Sequence, residues 1–166
     1  MSMIGNLFRV TKAELEEYLN DSSMLKDWLY GENEELDYLN PDDIDKAWDG
    51  ILFLLTGDGI SEINHPLTKV LFSGQLIDEN QDLGYGPAHY LTPEQVVDLN
   101  KQIAEITVDD LKLKFDPEKM TELGIYPEIW AEGDDAFDYL ADNFLVVQKM
   151  YAEAAKNGEG MITYLN

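Results

Sequence analysis

The spacing of apolar residues changes repeatedly along this chain, and the changes divide it into elements. Met3 to Val10 is a short apolar run rich in strand formers, closed by Thr11-Lys12-Ala13-Glu14, which has the T-x-x-E form of a capping box. A strand followed by a helix is predicted, with Leu15, Tyr18 and Leu19 at helical spacing. A second short helix is predicted around Met24 to Tyr30, after the turn at Asn20-Asp21-Ser22, and an acidic irregular stretch from Gly31 to Asn40 follows. Pro41-Asp42-Asp43 opens the most apolar helix, with Ile44, Ala47, Trp48, Ile51, Leu52 and Leu55 on one face and Phe53 and Leu54 beside them. Its nearly continuous apolar surface predicts burial, and Thr56-Gly57-Asp58-Gly59 ends it.

The apolar piece from His65-Pro66-Leu67 to Phe72 is too short for periodicity to choose between helix and strand. A loop from Asp78 to Pro87 leads into His89-Tyr90-Leu91, read as extended, and Thr92-Pro93-Glu94-Gln95 is a strong helix start: Thr as cap, Pro at the first helical position, Gln three residues past the cap. Thr107 with Asp110 and Asp116 with Pro117 start two more short helices, the second stopping at Gly124. Ile125-Tyr126-Pro127 is read as extended, since a residue before Pro avoids the helical region. From Asp134 the longest helix carries Phe137, Leu140, Ala141, Phe144, Val147, Tyr151, Ala154 and Ala155 as a stripe, with Asp134 and Asp135 at its positive end and Gly158 as its stop. Met161 to Leu165 then reads as a strand. Helices interspersed with short strands, without a repeat or a linker, predict one domain over residues 1–166, of α/β class with α+β as the alternative: a three-layer arrangement of helices on a mixed sheet.

Composition narrows the function. With 34 Asp plus Glu against 11 Lys plus Arg, the formal charge is −23, and Arg9 is the only Arg. Nucleic-acid binding draws its sequence-independent affinity from cations that displace counterions, so nucleic acid is excluded as a partner, and anionic membrane surfaces are disfavoured on the same ground. The 45% hydrophobic content is that of a chain able to build a core. With no Cys, thiolate chemistry and disulfides are excluded; with no signal-like leader and no apolar run of spanning length, a soluble, cytoplasmic protein is expected.

Candidate chemistry is sparse. Only His65 and His89 could supply imidazole, too few for a three-His zinc site, and Ser73-Gly74 lacks the preceding Gly of a nucleophile elbow. Gly57-Asp58-Gly59 and Gly84-Tyr85-Gly86 lack the rest of a dinucleotide or phosphate loop, and no cofactor is implied. Asp78, Asn80 and Asp82 alternate as calcium-loop oxygens do, but Leu83 and His89 stand where an EF-hand needs its Gly and its closing Glu, so an ordinary polar loop is the better reading and no metal is assigned. The best ligand site is the Gly84–Pro87 loop with Tyr85, His89 and Tyr90, where it meets the apolar helix at Trp48 and Asp49, because loops on a rigid scaffold carry function and His89 titrates near neutrality.

Several stretches together resemble a known family: Met3-Ile4-Gly5, Asp45-Lys46-Ala47-Trp48 leading to Phe53-Leu54-Leu55-Thr56-Gly57, Leu83-Gly84-Tyr85-Gly86-Pro87-Ala88 with Tyr90-Leu91-Thr92-Pro93-Glu94-Gln95-Val96, Ile125-Tyr126-Pro127 with Ile129-Trp130, and Tyr164-Leu165-Asn166. Taken in order they resemble the YfbM-like bacterial family, a domain-of-unknown-function family. The resemblance implies a single three-layer α/β domain and brings no activity, substrate or cofactor. In the family pattern, His follows the helix Trp and recurs three residues on, and Arg lies within the Gly-Pro-Ala motif; this chain has Asp49, Leu52 and His89 there, so a function needing those groups does not carry over.

The charge itself supports two readings. Read as function, which is the preferred reading, it describes a non-enzymatic acidic module that steers a basic protein partner, as an inhibitor or immunity protein does; read as solubility, it implies self-repulsion that salt would screen. A ligand-binding protein or enzyme at the Gly84–Pro87 loop is the third possibility. Between about 10 mM and about 0.5 M NaCl the melting temperature should rise, by roughly 2–4 °C for each kcal/mol of repulsion relieved at this chain length. A flat melting curve would remove self-repulsion; failure to retain any basic protein at low ionic strength would remove the acidic module.

Overall fold

The computed structural model describes residues 2–31, 42–59 and 64–166. Its centre is the antiparallel pair of β1 (Gly5–Val10) and β4 (Gly160–Leu165), registered from Gly5 opposite Leu165 to Val10 opposite Gly160. β2 (Asp42–Asp43) pairs with β1 on one side and β3 (His89–Leu91) with β4 on the other, giving the order β2-β1-β4-β3. All three pairings are antiparallel, so the expected mixed sheet is corrected and the α+β alternative holds. Strand direction is fixed by partners distant in sequence, which local spacing does not encode.

Because side chains alternate across a strand, β1 and β4 feed two cores. Phe8, Val10, Ile162 and Tyr164 pack with Leu15, Tyr18 and Leu25 of α1 (Lys12–Asn20) and α2 (Ser22–Tyr30). Leu7 and Met161 join the larger core on the other face. That core is built from α3 (Trp48–Thr56), α4 (Pro93–Ile103), α5 (Val108–Lys114), α6 (Pro117–Glu122) and α7 (Asp134–Asn157). Helices thus cover both faces, in three layers. Arg9, on the α7 side, binds Glu153 at 2.9 Å and Glu159 at 3.5 Å.

Local chemistry accounts for most boundaries. Thr11, Thr92 and Thr107 each form the reciprocal capping box with the third residue beyond them, Asp21 and Asp116 cap α2 and α6, and α7 ends at Gly158 in the left-handed region. The apolar helix starts later than expected. Asp42 and Asp43 form β2, the Ile44 N–H donates to Gly5, and Asp45 adopts φ 49°, which a helix interior forbids, so a 3₁₀ turn at Asp45–Ala47 precedes α3. The ambiguous piece at His65–Phe72 is a 3₁₀ helix, Pro66–Val70, whose first turn donates the Leu67 N–H to His65 Nδ1. Ile125-Tyr126-Pro127, expected extended, forms a turn with a cis Tyr126–Pro127 bond. The acidic stretch after Gly31 lies outside the described residues.

Residues Trp48 to Leu55 of α3 are all buried, as its all-round apolar surface requires. Close approach to α7 depends on Gly50: a Cβ there would lie 2.6 Å from Leu140 Cδ2 and 2.8 Å from Trp130 Cη2. On propensity alone Gly50→Ala would gain about 1 kcal/mol, but overpacking costs about 1–3 kcal/mol. We expect net destabilisation in urea unfolding; a stabilised variant would show that α3 and α7 can separate without loss.

Candidate functional site

Between residues 72 and 91 the chain makes two turns that meet beside the end of β4. Ser73 Oγ donates to the Tyr90 carbonyl at 2.7 Å, and the side chains of Gln75 and Gln95 exchange hydrogen bonds at 2.7 and 3.2 Å, tying the first turn to the start of α4. In the second, Asp82 Oδ1 accepts from the N–H groups of both Gly84 and Gly86, at 2.8 and 3.0 Å. Those backbone donors hold the Asp82 carboxyl below the usual carboxylate range. Gly84 sits at φ 137°, and a Cβ on it would meet Asn166 Cα at 2.9 Å, so this close approach admits only Gly. Tyr85 N–H donates to the Leu165 carbonyl at 3.3 Å, and Tyr30 OH to the Leu83 carbonyl at 2.8 Å, fastening the loop to β4 and α2.

The turns enclose a cleft of about 300 Å³ bordered by Thr68, Phe72, Gly74, Tyr85, Pro87, His89 and the end of β4 at Tyr164 and Leu165. A narrow recess behind Phe72 continues to Trp48. Aromatic rings run in sequence through this region: Tyr126 stacks on Trp48 at 5.6 Å, Trp48 meets Phe72 edge-on at 5.8 Å, and Phe72 meets His89 edge-on at 5.4 Å. Trp48 Nε1–H donates to the Met3 carbonyl.

His89 is the one imidazole among the described lining residues of the cleft. Its Nδ1 accepts the Gly74 N–H at 3.1 Å. An N–H can only donate, so Nδ1 carries the lone pair and Nε2 the proton. Burial lowers the His89 pKa from the ordinary 6.5, and a second proton on Nδ1 would face the Gly74 donor. Nε2 has no hydrogen-bond partner among the described residues and remains accessible.

Of the residues singled out from sequence, Tyr85 and His89 come together, and Trp48 backs their cleft through Phe72. Tyr90 and Asp49 do not line it. Strand alternation turns Tyr90 to the opposite core. One helical step separates Asp49 from Trp48 by about 100°; its buried carboxylate accepts the Tyr126 N–H at 3.0 Å and lies against the turn at Gly59. Leu52 is core. Asp78 accepts from Ser22 Oγ and from the Asn80 N–H, at 2.6 and 2.9 Å, so the alternating acids of this loop bind the chain's own donors. Among the described residues no three His, Cys, Asp or Glu side chains gather as a metal-binding group.

Sequence reasoning missed Thr68, Phe72 and Gly74. The available signal was the i, i+4 spacing of Thr68 and Phe72, which the 3₁₀ turn and the Phe72 N–H bond to the Thr68 carbonyl realise. A second concavity of about 380 Å³ lies between α3 and α5, bordered by Leu54, Leu55, Ile106, Asp110, Leu111, Leu113 and Lys114. Its described lining residues include no aromatic ring or imidazole, and Asp110 is engaged in the α5 capping box.

Among the described residues no helix is long and apolar enough to cross a membrane. No curated protein matches the chain. Among solved structures it is similar to the crystal structure of YfbM from Escherichia coli, a protein of unknown function, with a TM-score of 0.75 at 17% identity over 100% of both chains. At that identity the likeness carries the fold. The family model described as "Domain of unknown function (DUF1877)" matches residues 1–164, and the chain belongs to that family.

Proposed function

We propose that this is a binding protein for a small organic molecule, with the cleft between the Phe72–Gly74 turn and the Gly84–Pro87 loop as its site. One observation carries the reading. Two turns, each fixed by its own hydrogen bonds, bring Tyr85, Phe72 and His89 to a single concavity of about 300 Å³, and an apolar cleft with few convergent polar groups is the usual form of a small-molecule site. Binding fits better than catalysis, because no carboxylate or second imidazole stands among the described lining residues to activate the Thr68 or Tyr85 hydroxyl together with His89.

The acidic module for a basic partner stays as a second reading. Among the described residues three acids, Glu153, Glu159 and Asp134, meet Arg or Lys in ion pairs, and the net charge of −23 supplies a negative field suited to steering. The absence of cysteine supports a reducing compartment such as the cytoplasm for either reading.

Fragment screening by ¹⁵N NMR should return compounds whose shifts centre on Gly74, Tyr85 and Leu165. Asp82→Ala, which removes the acceptor shared by Gly84 and Gly86, should weaken them several-fold, whereas Asp82→Asn keeps an oxygen and should bind nearly as the parent does. Hits that map elsewhere, or none at all, would end this reading. The wall also predicts a pH dependence. Because the folded state holds His89 below 6.5, the unfolded chain takes up the proton first; the contribution is complete above pH 6.5 and is lost as pH falls through the folded value. The stability advantage of the parent over His89→Asn should shrink over that range in urea titrations; an advantage that grows on acidification would contradict the assignment.

A further inference from the structure

Resting on the cleft as a binding site, we propose that its occupant is an uncharged, planar heteroaromatic molecule with a carbonyl oxygen, a lactam ring or nucleobase, and that carboxylates and phosphates are rejected. Three features of the wall select this chemistry.

First, the wall offers a donor of fixed identity. Gly74 holds His89 Nδ1 as an acceptor, so the accessible Nε2 presents an N–H and the ligand must bring a lone pair to it. Thr68 borders the same space and adds a hydroxyl, which can donate or accept according to the neighbouring ligand atom.

Second, the wall has no charge with which to hold an anion. No Lys or Arg is among the described lining residues, and protonation of His89 is opposed by burial and by the Gly74 N–H that faces Nδ1. The protein as a whole carries −23. An anionic ligand would therefore be desolvated against a neutral donor inside a repulsive field. A carbonyl oxygen accepts from Nε2–H without that cost.

Third, the flanks are flat. Phe72 is held edge-on to His89, and Tyr85, half-exposed at the mouth, makes no ring contact among the described residues. A ring with an unengaged face beside a rigid aromatic wall favours a planar partner through offset or edge-to-face contact. An aliphatic ligand of equal volume would forgo this.

The test uses three bicyclic probes on the full chain: oxindole, indole, and indole-2-carboxylate. Dissociation constants come from ¹⁵N shift titrations. Oxindole should bind most tightly, indole, which lacks the carbonyl, about 10-fold more weakly, and the carboxylate most weakly. His89→Asn places an amide oxygen where Nδ1 was, so it can keep the Gly74 bond while losing Nε2–H. In this variant oxindole should lose about 10-fold more affinity than indole, which forfeits only its contact with the imidazole ring. In the unaltered protein, the His89 Nε2 resonance should move on adding oxindole and stay in place with indole, a readout that survives if the variant does not fold. Tighter binding of the carboxylate, or equal loss of oxindole and indole in His89→Asn, would overturn the proposal while leaving the cleft a binding site. If screening yields cleft binders but none of these three is among them, the ligand class alone is wrong. If no compound of any class perturbs the cleft, the site reading falls with it.

Discussion

β1 and β4 lie opposite each other along six residue pairs, and this antiparallel pairing is the constraint from which the other described elements take their places. Its two faces, set by alternation, divide the apolar residues into one core under α1 and α2 and another under α3 to α7. Its two edges receive β2 and β3. The paired residues are separated by nearly the whole chain, so the contact that organises the sheet is also the one with the largest loop-closure entropy. Burial must offset that cost. α3 supplies much of it, with each fully buried Leu, Ile or Phe contributing about 1.5–3 kcal/mol before entropy is counted.

The site follows from the same pairing. β4 ends at Leu165, whose carbonyl receives Tyr85 N–H, while Thr163 Oγ reaches back to the Leu71 carbonyl next to Phe72. Both turns of the cleft are thus referred to one strand. Asp82 adds a fixed carboxylate under Gly84 and Gly86, and Gly74 fixes the His89 tautomer, so the wall is shaped by backbone donors. Part of the acidic surplus has this local use. Asp21, Asp82 and Asp116 accept backbone N–H groups, and Asp134 meets Lys112 at 2.7 Å.

What the sequence disclosed was local. Capping boxes at Thr11, Thr92 and Thr107, the Gly158 stop and the amphipathic stripe of α7 involve residues within a few positions of one another, and each stands where spacing placed it. The start of α3 was obscured because Asp42 to Asp45 read as a helix N-terminus, while their conformation answers to Gly5 and Asn6 across the sheet. Sheet direction escaped for the same reason. At the site, Tyr85 was legible as a loop residue and His89 as an imidazole at the start of the extended segment that follows the loop. Tyr90 and Asp49 were drawn in by adjacency, although one residue along a strand reverses the face and one along a helix turns it by about 100°. Thr68 and Phe72 were missed because only the fold brings the Pro66–Val70 turn beside His89.

Because Leu165 walls the cleft and also closes the sheet opposite Gly5, the cleft and the completed fold come into existence together. A molecule that fits there has affinity for the finished protein and none for a chain whose first and last strands are still apart. By mass action its concentration is then a term in folding stability, worth about 2.7 kcal/mol at one hundred times its dissociation constant. The abundance of the folded protein in a cell would in that way follow the supply of whatever occupies the space beneath Tyr85.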